Sequence, residues 1–128
     1  MSDPGLALQK ALFDKLSASL TVPVFDAVPA GTMYPYVTLD YEAVDNTTPV
    51  SGKKRENRLF YLSVWSNYKG QAEVKRINSE IAAALDEIPL PLSTGTAVSV
   101  RVVHTGTHRE PDGVTYMGSV TLRIITQH

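Results

Sequence analysis

The sequence predicts an α+β fold, in which two helices pack on one face of a mainly antiparallel, four-stranded sheet to form two layers. Apolar residues recur at spacings of three and four in two segments, which is typical of amphipathic helices. In four other segments they alternate with polar residues, which is typical of strands with one buried face. The segments follow the order α-β-β-α-β-β, and 128 residues suit one domain spanning residues 1–128.

The first helix is predicted over residues 4–19. Asp3 can accept hydrogen bonds from the free N–H groups of the first turn. Pro4 suits the first helical position because it has no N–H group to leave unpaired. The apolar face of this helix is formed by Leu8, Ala11, Leu12, Leu16 and Leu20. Pro23 then ends the helix, and residues 24–25 are expected to form only a short extended piece.

The first two strands are predicted to form a hairpin. From Tyr36 the pattern has period two, so one face is expected to carry Val37, Leu39 and Tyr41. The opposite face is expected to carry Thr38, Asp40 and Glu42. Residues 45–55 are polar and include Pro49 and Gly52, which predicts a long, mobile loop. The second strand, over residues 57–68, places apolar residues on both faces: Phe60, Leu62 and Val64 against Leu59, Tyr61, Ser63 and Trp65.

The second half of the chain repeats the order helix, strand, strand. A helix after Gly70, ended by Pro89 and Pro91, has an apolar stripe of Val74, Ile77, Ile81, Ala84, Leu85 and Ile88. The third strand alternates Val98, Val100 and Val102 with Ser99 and Arg101. Residues 110–113 (EPDG) favour a turn before the last strand, residues 114–126, whose inner face carries Tyr116, Val120, Leu122 and Ile124.

One face of this sheet is left without a helix. It is predicted to carry Thr38, Asp40, Glu42, Tyr61, Trp65, Arg101, Met117, Thr121 and Arg123. This mixture of aromatic and charged side chains is typical of a surface that contacts another molecule.

Composition excludes several classes of function. The net charge of −1, from 12 Lys and Arg against 13 Asp and Glu, argues against nucleic acid as the main ligand. The absence of cysteine excludes disulfides and thiolate metal sites. No apolar run reaches the length of about 20 residues that a membrane helix needs. Residues 1–4 (MSDP) lack a basic n-region, so no secretory signal is predicted.

No catalytic, cofactor or metal site is predicted. The best metal candidate is His104 with His108, but four residues of strand span about 13 Å, which is too long for two ligands of one ion. The chain has no G-x-S-x-G nucleophile elbow, and residues 93–96 (STGT) lack the lysine of a phosphate-binding loop. We therefore expect a protein that is not an enzyme and needs no cofactor.

Two groups of residues are candidates for contacts with partners. The basic residues Lys53, Lys54, Arg55 and Arg58 either belong to a solvated loop or contact an acidic partner or DNA without sequence readout. The candidate subunit interface comprises Tyr61, Trp65, Tyr68, Arg101 and Arg123. Aromatic residues and arginine are enriched at the centres of interfaces, although core packing is the commoner role of each aromatic taken alone.

Four segments, in order and at similar spacing, carry a resemblance to a known family. They are residues 25–29 (FDAVP), 34–37 (YPYV), 62–70 (LSVWSNYKG) and 109–113 (REPDG). Together they resemble the tail-completion, or tail-terminator, proteins of long non-contractile-tailed phages and of gene transfer agents. The resemblance covers nearly the whole chain.

The resemblance implies a virion structural protein of the tail or neck, made in the host cytoplasm. Such a subunit forms a ring, commonly a hexamer, at the head-proximal end of the tail tube, where it ends polymerisation and joins the tail to the head. Its implied partners are other copies of itself, the tail tube protein, a head-tail connector or stopper protein, and DNA passing through the lumen, with no membrane. The alternatives are another head-tail joining subunit or a non-enzymatic nucleic-acid-binding module.

Overall fold

The computed structural model describes residues 3–48 and 52–128. Two helices and five strands follow one another: α1 (Gly5–Ser19), β1 (Val24–Phe25), β2 (Tyr36–Asn46), β3 (Arg55–Ser66), α2 (Ala72–Leu85), β4 (Thr96–Arg109) and β5 (Tyr116–Gln127). Residues 1–2, where the sequence predicts no secretory signal, and Pro49 of the predicted loop lie outside the described residues. Neither described helix is both long enough and apolar enough to cross a membrane.

The sheet has the strand order β1-β2-β3-β5-β4. β1 is parallel to β2, and all the other pairs are antiparallel. The predicted α+β class is correct, but the predicted number of four strands is wrong, because Val24 and Phe25 pair with Val37 and Thr38 as a fifth strand. A strand of two residues is too short to show any periodicity in the sequence.

The hydrophobic core lies between the helices and one face of the sheet. α1 buries Leu8, Leu12 and Leu16, and α2 buries Val74, Ile77, Ile81 and Leu85. The sheet contributes Val37, Leu39, Phe60, Leu62, Val64, Val100, Val120, Leu122 and Ile124. Both predicted helical stripes are therefore confirmed, except that α2 ends at Leu85 and leaves Ile88 36% exposed.

A β-bulge at Asp40 reverses the predicted orientation of the second half of β2. Leu39 is opposite Leu62 and Tyr41 is opposite Tyr61, so Asp40 is an additional residue in β2. One added residue moves every later side chain to the other face. Tyr41 therefore lies on the helix-free face and Glu42 on the helix face, the reverse of the prediction.

The ends of the β2–β3 hairpin also differ from the prediction. The ladder extends to the pair Asn46 and Glu56, so Asp45 belongs to β2 and Arg55 opens β3, and the connection is shorter than residues 45–55. β3 ends at Ser66, two residues before the predicted end at Tyr68.

Polar groups of α2 and of the turn after it bind the outer edge of β4. The Glu87 N–H donates to the Val100 carbonyl at 2.8 Å, and the Val102 N–H donates to Asp86 Oδ1 at 2.9 Å. Further along, Asn78 Nδ2 donates to the Gly106 carbonyl at 3.2 Å. Two bulges interrupt the pairing of β4 with β5, and one of them leaves Val98 49% exposed instead of placing it with Val100 in the core.

A candidate assembly surface

The helix-free face of the sheet forms a regular grid, because the strand registers place side chains in rows across it. One row runs from Ala43 on β2 through Leu59 and Arg123 to Arg101 on β4. The next row consists of Tyr41, Tyr61, Thr121 and His104. Aromatic and acidic residues therefore occupy the β2–β3 half of this face, and basic residues occupy the β5–β4 half.

The basic half contains two arginines directly opposite each other. Arg101 and Arg123 are Cα partners on β4 and β5, and both are exposed. Within residues 3–48 and 52–128, neither guanidinium forms an ion pair with a carboxylate. Like charges in directly opposed positions of an antiparallel pair destabilise the sheet. We name Arg101, His104 and Arg123 the basic surface.

The other half carries an exposed aromatic pair next to carboxylates. Tyr41 stacks on Tyr61 with ring centroids 4.3 Å apart and an interplanar angle of 19°, and Tyr41 is 63% exposed. Asp45 is exposed one row beyond Ala43, and it has no salt bridge within the described part of the chain. Asp40 accepts hydrogen bonds from the hydroxyls of Thr38, at 2.8 Å, and Ser63. We name Asp40, Tyr41, Asp45 and Tyr61 the acidic surface.

Trp65 and Tyr36 close one end of the same face. Trp65 Nε1 donates to Thr38 Oγ1 at 3.2 Å, which holds the indole against the sheet. Tyr36 is opposite Trp65 and stacks on Tyr34 with centroids 5.4 Å apart. Burial raises the pKa of Tyr36, and the neighbouring Tyr34 raises it further, so the Tyr36 hydroxyl is uncharged over the physiological range.

The predicted interface residues are only partly brought together. The structure places Tyr61, Trp65, Arg101 and Arg123 on the helix-free face. Tyr68 is 60% exposed but follows the end of β3, in the connection to α2, and so does not belong to the grid. The members of the acidic surface other than Tyr61 were not predicted as site residues. The sequence does indicate a local excess of negative charge, because residues 16–52 contain four carboxylates and no Lys, Arg or His.

Arg58 is not a loop residue, which corrects its prediction as part of an exposed basic cluster. It lies on the helix face of β3 and is only 1% exposed. Its guanidinium donates to Asp3 at 2.6 Å, Glu42 at 3.0 Å and Glu56 at 2.8 Å, and its Nε donates to Thr126 Oγ1 at 3.0 Å. These partners come from four parts of the chain and use four of the five N–H donors, and the burial of Arg58 keeps its guanidinium away from DNA or a partner protein.

The other three basic residues of that cluster lie at one end of the sheet. Lys53 and Lys54 are exposed, and Arg55 is half-buried and donates to Gln127 Oε1 at 2.9 Å. The backbone of Lys54 exchanges two hydrogen bonds of 2.9 Å with His128. The C-terminal residue thus anchors the segment that presents both lysines to solvent.

The two histidines of the candidate metal site lie on the helix-free face of β4. His104 is opposite Thr121 and His108 is opposite Met117, while His108 Nε2 lies 2.9 Å from Glu110 Oε1. In residues 3–48 and 52–128 no group of three or more histidine and carboxylate side chains is arranged to hold a metal ion.

Comparison with known families shows where this chain belongs. Residues 7–127 match the model of the family described as tail completion protein gp17. The chain belongs to this family. The tail completion family comprises phage tail structural proteins, so the predictions of a viral tail protein without enzymatic activity are confirmed.

Solved structures give the same fold. The chain is similar, at 24% identity and a TM-score of 0.87, to a chain in the virion of a native gene transfer agent particle. The similarity covers 100% of both chains, so this tail completion protein shares the complete fold with that component. A search of the curated proteins found no match.

Proposed function

We propose that this tail completion protein forms a ring at the head-proximal end of a phage tail tube, where it ends tube polymerisation and joins the tail to the head connector. The match of residues 7–127 to the tail completion family carries this proposal. The proposed ring is a hexamer and a component of the virion, at the neck end of the tail. Its partners are copies of itself, the tail tube protein and the connector or stopper protein.

The two-sided charge of the helix-free face supports a ring. A ring forms by heterologous contacts, in which each subunit uses two different surfaces, one toward each neighbour. The basic surface and the acidic surface are two such regions on one subunit, and they lie on opposite halves of the sheet.

The exposed lysines support a ring in which the end of the sheet at residues 53–55 lies near DNA. In the proposed ring, Lys53 and Lys54 face the lumen, with Arg55 behind them. Lysine contacts with phosphate neutralise charge without reading bases, which suits a DNA that passes through. Arg58 has no part in this contact because it is buried.

Reconstitution with tail tubes tests the proposal. Purified protein is added to growing tubes, which are imaged by negative stain while the mass of the free protein is measured in solution. We expect tubes that stop growing and carry one ring of six copies at one end. Tubes that grow unchanged, beside protein that stays solitary, would overturn the proposal. A ring that binds connectors but never tubes would instead indicate a different head-tail joining subunit.

A further inference from the structure

Two surfaces of this subunit carry charges that the described part of the chain does not balance. Arg101 and Arg123 oppose each other without a carboxylate. On the far half of the same face, Asp45 lies two rows from the Tyr41–Tyr61 stack and has no cation partner in the described residues. The sequence shows the same division, because β4 and β5 contain no Asp or Glu and β2 contains no Lys or Arg.

We propose that the acidic surface of one copy binds the basic surface of the next copy. The inference rests on the proposed ring and names the contact that closes it. A carboxylate placed between Arg101 and Arg123 removes the repulsion that the isolated subunit retains, and charge-assisted hydrogen bonds to arginine are among the strongest in proteins. The exposed Tyr41 ring offers its face to a guanidinium, which is a favourable cation–π arrangement.

The charges also restrict the symmetry of the contact. An isologous dimer through one surface alone brings arginines to arginines or carboxylates to carboxylates, and such pairs repel each other. An isologous dimer that pairs both surfaces at once satisfies the charges but ends at two copies. The heterologous contact that we propose uses one surface toward each neighbour, so a growing chain keeps one free surface of each sign until the rotation closes.

Strand pairing is hindered along part of β4. Asp86, Glu87 and Asn78 already bind three backbone groups of its outer edge. The proposed contact is made by side chains, so we expect it to weaken as salt screens the charges.

The absence of cysteine allows a direct test by thiol cross-linking. Asp45→Cys and Arg101→Cys are purified separately, with Lys69→Cys as an exposed control away from both surfaces, and treated with a short bis-maleimide, with and without tail tubes. We expect linked pairs only when the Asp45→Cys and Arg101→Cys proteins are mixed. A chain carrying both cysteines should give a ladder that ends at the copy number of the ring. Self-linking of either single variant, or no linking in the mixture, would overturn the proposal.

Charge reversal gives a second, independent readout. Asp45→Arg places a cation in the acidic surface and Arg101→Glu places a carboxylate in the basic surface, so each variant alone should lose assembly, while Lys69→Glu keeps it. An equimolar mixture of the two variants should regain assembly, because the two kinds of copy can alternate around an even-numbered ring and the exchanged charges then pair with each other. A mixture that stays as inactive as its components would contradict the assigned contact.

The repulsion between the arginines is measurable in the isolated subunit. Arg123→Thr should raise the thermal unfolding midpoint of the subunit and reduce its assembly, whereas the matched change Arg109→Thr on the same sheet, opposite Tyr116, should do neither. A lower midpoint for Arg123→Thr than for Arg109→Thr would count against an unbalanced pair.

The outcomes separate this inference from the proposed function. Rings that cap tubes without the Asp45–Arg101 cross-link would leave the function standing and remove the contact. Cross-linked ladders that never bind tubes would leave the contact standing and remove the function.

Discussion

Arg58 connects four parts of the chain through one buried guanidinium. Burial opposes its charge, but the hydrogen bonds to Glu42, Asp3 and Glu56 outweigh burial, and the pKa of Arg58 is raised. The same contact, through the hydrogen bond from Arg58, lowers the pKa of Asp3. Because Asp3 precedes α1 and accepts a hydrogen bond from the Gly5 N–H at 3.1 Å, this ion pair ties the start of the helix to the sheet.

The Asp3 contact predicts a specific response to acid. The folded state lowers the pKa of Asp3 below the ordinary value of 3.8, so the contribution of this carboxylate is complete above that pH and is lost as the pH falls through the folded-state pKa. Since the Asp3 side chain is 71% exposed, solvent screening limits the contribution to about 0.2–1 kcal/mol. Asp3→Asn should therefore flatten the acid side of a plot of urea midpoint against pH. If the urea midpoints of the unchanged protein and of Asp3→Asn fall in the same way at acidic pH, the prediction is contradicted.

At the scale of elements, α2 packs on the sheet through a close approach between Asn78 and Gly118. Asn78 is buried, and a Cβ atom at Gly118 would lie 2.6 Å from its Oδ1. The absence of a side chain at this position of β5 lets the amide reach across to the Gly106 carbonyl on β4. The absence of a Cβ atom at Gly118 thus allows α2 to bind the edge strand β4.

This packing predicts that Gly118→Ala destabilises the protein by about 1–3 kcal/mol, because the added methyl group forces α2 away from β5. Urea unfolding of Gly118→Ala, Asn78→Ala and the double variant measures the effect. In the Asn78→Ala background the methyl group has room, so the cost of Gly118→Ala should fall clearly. Costs that simply add would show that the two residues do not interact.

Much of the architecture of these elements is predictable from the sequence. The stripes of α1 and α2 and the alternation in β5 are strong periodic signals, and these three elements and the apolar strand β3 form close to their predicted bounds. The short β1 is not predictable in this way, since its partner, residues 37–38, is set by the fold.

The acidic surface was less predictable than the helices and strands, because the β-bulge at Asp40 decides which side chains of β2 lie on the helix-free face. Strict alternation places Glu42 with Thr38, but the additional residue Asp40 turns Glu42 toward Arg58 and turns Tyr41 outward. The burial of Arg58 depends on Asp3 and Thr126, which are 55 and 68 residues away in the chain, so local sequence cannot indicate it. Arg101 was found because it lies between the two bulges of β4, in residues 99–102, where the alternation is regular, and Arg123 lies on the regular strand β5.

At the scale of the whole molecule, charge is divided between the ends and faces of the subunit. Lys53, Lys54 and Arg55 are grouped at one end of the sheet, beside the C-terminal residue His128. Their position allows a contact with phosphates that is separate from the contact between copies.

Replacing Lys53, Lys54 and Arg55 together by Ala should remove most of the affinity for duplex DNA while leaving assembly intact. Each lost phosphate contact lowers the slope of log affinity against log salt by about 0.9. Fluorescence anisotropy between low and moderate salt measures that slope. Lys15, Lys69 and Lys75 replaced by Ala form a control with the same change in charge, and an equal loss of affinity in the control would refute a role for this end.

The hydrogen bonds from α2 and the turn after it to the outer edge of β4 also affect how readily the protein can aggregate. An unprotected edge strand invites pairing with other chains and fibril growth. Asp86, Glu87 and Asn78 occupy three of the backbone positions through which another chain would extend the sheet. They therefore hinder fibril growth along β4 while the helix-free face stays open for assembly.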